Sequence, residues 1–323
     1  MGGAPEVPQG VQELAEVVSA RPVGAYTHLV LRAPEAARRA RPGQFVACGT
    51  GDSGMLLRRS LSLHAADPEA GTLEVVVAAA GPGTRLLAAK RPGDVVPTTA
   101  PLGRPFPLPA DVGRPGAPAV VIGGGYGAAP LPWLARELAA TGSRVVGIVG
   151  AASADRLLGT SAVDEATALD GPDGPADALV VTTDDGSLGA PGRVTDALPE
   201  VLLELSELSD RGDPWVYACG PMPMLRSVQT TTREVLGERA RTWLAVEESM
   251  ACGVGVCMTC VLPVVSPDDG ATRMLRACTA GPVFDGDALR WDAIGAAEHL
   301  RGGALVPDDA VGAPVAGGPA GGH

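Results

Sequence analysis

The stretch from Glu247 to Cys260 restricts what this chain can become more than any other. Within it Cys252, Cys257 and Cys260 follow a C-x4-C-x2-C spacing, and Cys278 follows from a separate segment. That is the plant-type ligand pattern of a [2Fe-2S] cluster. Gly253 and Gly255 between the thiols let the backbone curl tightly, turning thiolates inward and amide N–H groups toward the sulfurs, where they stabilise negative charge. A four-cysteine zinc knuckle normally uses paired C-x2-C arms, and only one arm here has that form. Disulfides fit less well still. The 323 residues hold six cysteines, four of them crowded together, and the N-terminus has none of the basic and apolar regions of a secretory leader. The expectation is a metal-binding chain in a reducing, cytoplasmic compartment.

Length predicts two domains, at roughly 150 residues each, beside the small cluster module. With 46% hydrophobic residues the chain can bury real cores, while a net charge of −12 and a pI near 4.8 argue against nucleic acid and anionic membrane surfaces as partners. Apolar runs such as Ala119 to Ile122 are far shorter than the ~20 residues needed to cross a bilayer, so no membrane span is expected.

From Val11 to about Leu108 the pattern is one of short strands broken by Gly and Pro: Glu16 to Ser19, His28 to Arg32, Phe45 to Cys48, Ser60 to His64, Leu73 to Ala78 and Asp94 to Thr98. Turns fall at Arg41-Pro42-Gly43 and Arg91-Pro92-Gly93. This spacing predicts a small antiparallel barrel. Two motifs ride on it, Arg58-Arg59-Ser60-Leu61-Ser62-Leu63 and Gly81-Pro82-Gly83-Thr84, the latter opening a helix over Arg85 to Lys90. A helix start behind Gly-x-Gly-Thr offers free N–H groups to an anion, and Arg59 can add a fixed charge to the same phosphates; an exposed strand charge and an ordinary turn are the plainer readings.

After Ala117 the period changes. Ala119 to Ile122 is a continuous apolar run of buried parallel-strand type, followed by Gly123-Gly124-Gly125-Tyr126-Gly127 and a helical stretch from Leu131 to Thr141. Strand, glycine turn and helix form a nucleotide-binding arrangement in which glycines allow close approach to a pyrophosphate. Further strands are expected at Arg144 to Gly150, Ala178 to Thr182 and Trp215 to Cys219, with helices at Thr195 to Ser209 and Pro223 to Leu236, giving an open α/β sheet. The acid Asp155, with Arg156 beside it, follows the second strand and favours NAD over NADP. The four histidines, His28, His64, His299 and His323, are scattered and read as surface or core residues.

Three segments make the combination specific: Glu247-Glu248-Ser249-Met250-Ala251-Cys252-Gly253-Val254-Gly255-Val256-Cys257, Arg276-Ala277-Cys278-Thr279-Ala280-Gly281-Pro282-Val283-Phe284, and Thr183-Asp184-Asp185-Gly186-Ser187-Leu188-Gly189. With Tyr217-Ala218-Cys219-Gly220-Pro221 they resemble the ferredoxin reductase superfamily, and within it the electron-transfer subunits of NAD-dependent, class 1B dihydroorotate dehydrogenases, over roughly Val11 to Trp291. The resemblance implies a multidomain β plus α/β fold: an FAD-binding β-barrel (11–112), an NAD-binding domain of ferredoxin-reductase type (117–246), a C-terminal [2Fe-2S] module (247–294) and a disordered tail (295–323).

Carried over by position, Arg59, Ser60, Leu61 and Ser62 occupy the family's flavin motif, Val76, Val77 and Ala78 the strand along the flavin, and Gly83 and Thr84 the turn that holds the FAD diphosphate. Gly123, Gly124, Gly125 and Gly127 match the NAD-facing turn, Cys219, Gly220 and Pro221 the stretch beside the nicotinamide, and Cys252, Cys257, Cys260 and Cys278 the cluster ligands. Ser60 stands where the family usually has proline, and Ala78 where it tends to have arginine. The implied activity is a relay. An FMN-containing catalytic subunit, in a heterotetramer with two of each chain, oxidises dihydroorotate, and its electrons pass through [2Fe-2S] and FAD to NAD in pyrimidine biosynthesis; the substrate's acid-base residues then belong to that partner. Two alternatives are a flavin and iron-sulfur NAD(P)H reductase subunit of a hydrogenase or ferredoxin oxidoreductase, and a zinc-bound scaffold without redox chemistry.

Overall fold

The computed structural model describes residues 10–51 and 54–294, and the expected tail over 295–323 lies outside them. Six antiparallel strands, β1 (Val11–Val23), β2 (Tyr26–Arg32), β3 (Phe45–Cys48), β4 (Arg59–Asp67), β5 (Thr72–Ala78) and β6 (Val95–Leu102), close into a barrel of order β1-β2-β5-β4-β3-β6. Alternation along the strands decides what each face does. On β5, Leu73, Val75 and Val77 are buried inside the barrel with Leu29, Leu31 and Leu63, while Glu74, Val76 and Ala78 point outward. Both expected turns place their glycine in the left-handed region, Gly43 at φ 92° and Gly93 at φ 90°. A short helix α1 (Pro34–Ala37) lies against β1, β5 and β6, and α2 (Pro82–Ala88) follows β5. Helix α2 starts three residues before the sequence suggests, so Gly83 and Thr84 lie within its first turn, where Thr84 Oγ1 accepts from the Gly81 N–H at 2.9 Å.

The second layer is a seven-stranded sheet of order β10-β9-β8-β7-β11-β12-β15. Its parallel members are β7 (Ala119–Gly124), β8 (Val145–Ala151), β9 (Ala178–Thr183), β10 (Ala190–Pro191), β11 (Trp215–Gly220) and β12 (Arg241–Val246). Helices α3 (Leu131–Ala140), α4 (Val194–Leu208) and α5 (Met222–Leu236) cover it, which is why β7 and β11 are buried along nearly their whole length. Strand order reverses between β7 and β11, so the switch-point crevice opens where Gly123 to Gly127 and Cys219 to Pro221 meet.

After β12 the chain forms the cysteine loop, the hairpin β13 (Val261–Val265) and β14 (Thr272–Arg276), the short helix α6 (Ala277–Ala280), and β15 (Val283–Asp285), which joins the sheet antiparallel to β12. The sequence pattern does not announce β12 to β15. One continuous core runs through all three parts, joining Phe45 and Leu102 of the barrel, Val120 and Leu244 of the sheet, and Cys260, Leu262 and Cys278 of the C-terminal segment. No helix among the described residues is long and apolar enough to cross a membrane.

The barrel is also latched to the sheet domain by the β1-β2 turn. Ala25 N–H donates to the Asp155 carbonyl at 2.9 Å, Tyr26 Oη donates to the Arg156 carbonyl at 2.7 Å, and the Arg21 guanidinium forms a two-pronged pair with Asp164. Burial works against the Asp164 carboxylate, but Arg21 and the Thr167 N–H outweigh it and hold its pKa below the usual range. A carboxyl depressed in the folded state adds stability above its unfolded pKa of about 3.9 and loses it as pH falls through the folded value. Asp164→Asn should therefore cost about 1–2 kcal/mol in denaturant unfolding at pH 7, with the gap to the parent protein closing as pH falls through the folded carboxyl's depressed pKa. A pH-independent gap would show that the pair contributes packing alone.

Candidate functional site

Two grooves and one loop meet at the junction of the three parts. The first groove, of about 380 Å³, is walled by Ser60, Leu61 and Ser62 of β4, Val76 and Ala78 of β5, and Thr84 of α2; Tyr126, Ala129 and the segment from Val246 to Met250 complete it. Arg59, next to Ser60 in sequence, is not itself a wall residue; its guanidinium donates to the Leu57 carbonyl and lies over Gly83, where a Cβ would come within 2.1 Å of Arg59 Nε. The sequence motifs Arg59 to Ser62 and Gly83-Thr84 are thus brought together. Val77 is not. Strand alternation turns its side chain into the barrel core, away from this wall.

The second groove, of about 510 Å³, lies over the carboxyl ends of β7, β8 and β9, lined by Gly124, Gly125, Gly150, Ala151, Pro221 and Met224. Gly125 adopts φ 55°, the left-handed geometry that the turn after β7 needs. Gly123 and Gly127 play another part. Both face protein: a Cβ on Gly127 would lie 2.6 Å from Gly220 Cα, and one on Gly123 2.5 Å from Ala128 Cβ. Their small size lets β7, its turn and β11 close up, which sets the crevice rather than lining it. Cys219 is buried at the end of β11, and burial, then the nearby Glu247 charge, pushes its thiol pKa far above the usual value, so it is held as a neutral thiol.

Several lining residues have no site role assigned to them in the sequence, although they fall within or beside its motifs. Tyr126 borders both grooves and packs edge-on against Tyr26 with ring centroids 6.3 Å apart. Glu247 hydrogen-bonds to it; burial raises the Glu247 pKa and the Tyr126 hydroxyl partly offsets this. The second groove is also lined by Arg156, Asp184 and Arg193. Asp155, the acid singled out in the sequence, is engaged instead by the Ser153 hydroxyl, which donates to it at 2.5 Å, while its neighbour Arg156 reaches the groove. Asp184 could have been found from the Thr183-Asp184-Asp185-Gly186 run at the end of β9; Tyr126 carries no signal beyond its place among glycines.

In the cysteine loop Gly253 and Gly255 sit at φ 72° and 81°, as a tight curl requires, and Met258 also takes positive φ, at 60°. Cys260 and Cys278 are buried, Cys252 is half-buried and Cys257 is exposed; none of the four is in a disulfide. The β13-β14 hairpin brings Cys260 beside Cys278 by pairing Val261 with Arg276, and the Ala277 N–H donates to the Cys260 carbonyl at 2.7 Å. Burial acts to raise the Cys252 pKa, but the backbone N–H groups of Cys257, Val254 and Val256 prevail and lower it to about 6; the Val256 nitrogen is 3.3 Å from the sulfur. Cys278 is pushed up to about 12 by burial and by Cys260, with the Gly255 N–H opposing. Amide donors aimed at sulfurs in a partly dry pocket are what a thiolate-ligated iron-sulfur centre needs, so the donor set fits that group. The barrel wall touches this loop directly, since Ser60 Oγ donates to the Met250 carbonyl at 3.2 Å.

Barrel, switch-point crevice and thiol loop together define an oxidoreductase of ferredoxin-reductase architecture. Residues 121–230 match the family described as oxidoreductase NAD-binding domain, and residues 247–290 match the iron-sulfur cluster binding domain of dihydroorotate dehydrogenase B. The dihydroorotate dehydrogenase B (NAD(+)) electron transfer subunit of Geobacillus thermodenitrificans is 37% identical over 278 residues, covering 84% of this chain and 96% of that protein. Its counterpart in Shouchella clausii is 35% identical over 257 residues, 79% and 89% of the two chains. Among solved structures, the NADH-dependent reduced ferredoxin-NADP oxidoreductase superposes with a TM-score of 0.69 at 27% identity, covering 90% of this chain and 92% of that one. The chain belongs to the family of dihydroorotate dehydrogenase B electron transfer subunits.

The packing role of Gly127 is open to test. Gly127→Ala forces β7's turn away from Gly220 and should lower stability by roughly 1–3 kcal/mol in denaturant unfolding; an unchanged midpoint would show that the crevice has slack.

Proposed function

We propose that this chain takes electrons from a catalytic partner that oxidises dihydroorotate and delivers them to NAD+, with FAD in the first groove, a [2Fe-2S] cluster on Cys252, Cys257, Cys260 and Cys278, and NAD in the second groove. The observation that carries this reading is that Tyr126 borders both grooves, while the segment from Val246 to Met250, which walls the first, leads directly into the thiol loop. When bound, the cluster moves single electrons, flavin exchanges one or two, and nicotinamide takes a hydride, so the flavin groove must lie between the other two sites.

The residues suit that order. Arg59, fixed over Gly83, presents charge-assisted donors to a diphosphate, and Thr84 holds the turn by capping Gly81. Val76 and Ala78 offer a flat apolar wall, and Ala78 leaves room where a longer side chain would intrude. Tyr126 stands between the two grooves, its ring edge-on to Tyr26. Asp184 is placed to accept from ribose hydroxyls, while Arg156 and Arg193 balance the pyrophosphate charge. The Ser60 bond to Met250 holds the cluster loop against the flavin wall.

A partner is called for on the other side of the loop. Cys257 is exposed, and its neighbours Val254, Val256 and Met258 are 51%, 77% and 51% exposed, an apolar surface at the thiols that a protein would cover. The partner we infer is the FMN-bearing catalytic subunit, two copies of each chain forming the complex.

Cys257→Ser is the direct test. The variant, purified with its partner, should lose the cluster's visible absorption and dihydroorotate-dependent NAD+ reduction by at least about 100-fold, while NADH still bleaches its flavin. Dihydroorotate-dependent turnover retained without the cluster would rule out this route.

A further inference from the structure

A second set of ligand-type side chains lies apart from the grooves and the thiol loop, on the outer face of the barrel where α3 covers it. His28 of β2, His64 of β4 and Glu74 of β5 each offer one ligand atom, and these atoms lie within 4.8 Å of one another. Topology explains the meeting. The three strands are neighbours in the order β2-β5-β4, and each residue sits in the outward phase of its strand, flanked by core residues Leu29, Leu63, Leu73 and Val75. His28 and His64 are only 5% and 1% exposed, whereas Glu74 is half-buried and borders solvent.

The hydrogen bonds leave lone pairs uncommitted. His64 Nδ1 is 2.5 Å from the Ala129 carbonyl, which can only accept, so Nδ1 carries the proton and Nε2 of the neutral ring is a bare donor of electrons. A backbone carbonyl that fixes the tautomer in this way is the usual second contact of a metal-bound imidazole. His28 Nε2 contacts Glu74 Oε2 at 2.8 Å, but its Nδ1 is buried without any hydrogen-bond partner. Contacts within the set therefore do not satisfy it. Two imidazoles and a carboxylate, with an open side at Glu74, are the donor set of a zinc-class divalent ion with one position left for water. Arg136 of α3 faces the same carboxylate, so an ion would compete with a resident positive charge.

We propose that His28, His64 and Glu74 bind a divalent transition-metal ion of the zinc class. The ion would tie three barrel strands to the start of α3 through His64 and Ala129, and Ala129 also walls the first groove, so binding stiffens the flavin-side wall. The site stands independently of the electron relay.

The test uses the full chain with its iron-sulfur cluster assembled, so that the loop thiolates are already engaged, after brief treatment with a chelator. Zn2+ titrated by calorimetry should bind once per chain, and Co2+ should give ligand-field difference bands without thiolate-to-cobalt charge transfer. His64→Gln should abolish both signals. Glu74→Gln, at the solvent edge where folding is least at risk, should weaken binding by at least about tenfold while iron and flavin contents stay at parent levels. No saturable binding, binding equal to the parent's in Glu74→Gln, or cobalt bands of thiolate type would each overturn the proposal.

Discussion

Cys260 and Cys278 are buried in the same apolar core that holds Phe45 and Leu102 of the barrel and Leu244 and Val246 of the sheet. The rest of the structure depends on that shared burial. A cluster loop hung from a separate module would leave its distance to the flavin groove to chance, whereas here β15 extends the sheet antiparallel to β12, and the Arg104 N–H donates to the Gly281 carbonyl at 2.6 Å. The C-terminal segment is thereby tied to both other parts within a few residues of Cys278. Rigid placement of this kind is what a relay between fixed stations needs, since misplacement of a site by an ångström is costly to function.

Much of this is legible in the sequence, and the boundary of legibility has physical causes. Strand β7 stands out because a parallel strand covered on both faces must be apolar throughout, as Ala119 to Ile122 is. The glycine turns and the C-x4-C-x2-C spacing stand out because few residue types tolerate those geometries. Val77 shows the limit of a contiguous motif: neighbours on a strand face opposite ways, so three residues in a row cannot all present side chains to one groove. Gly127 shows another, since a glycine needed for close packing looks the same in sequence as one needed for a ligand. Strand β15 has three residues and acquires its role only from its partner β12. Likewise His28, His64 and Glu74 are unremarkable in the chain and meet only through barrel order.

The two departures from the family's usual residues gain a structural context. Ser60, in place of proline, supplies the hydroxyl that reaches the Met250 carbonyl and so links the flavin wall to the cluster loop. Ala78, in place of arginine, leaves its part of the wall apolar, and the nearby Arg59 lays its guanidinium over Gly83.

The relay proposed for this chain connects dihydroorotate oxidation on a partner to NAD+ reduction. Its most direct measurement is dihydroorotate-dependent NADH formation by the chain co-purified with the FMN-bearing subunit, compared with each subunit alone at full flavin and iron occupancy. Turnover that requires both is the expected result. Turnover by the partner alone at the same rate, or none from the loaded complex, would contradict it.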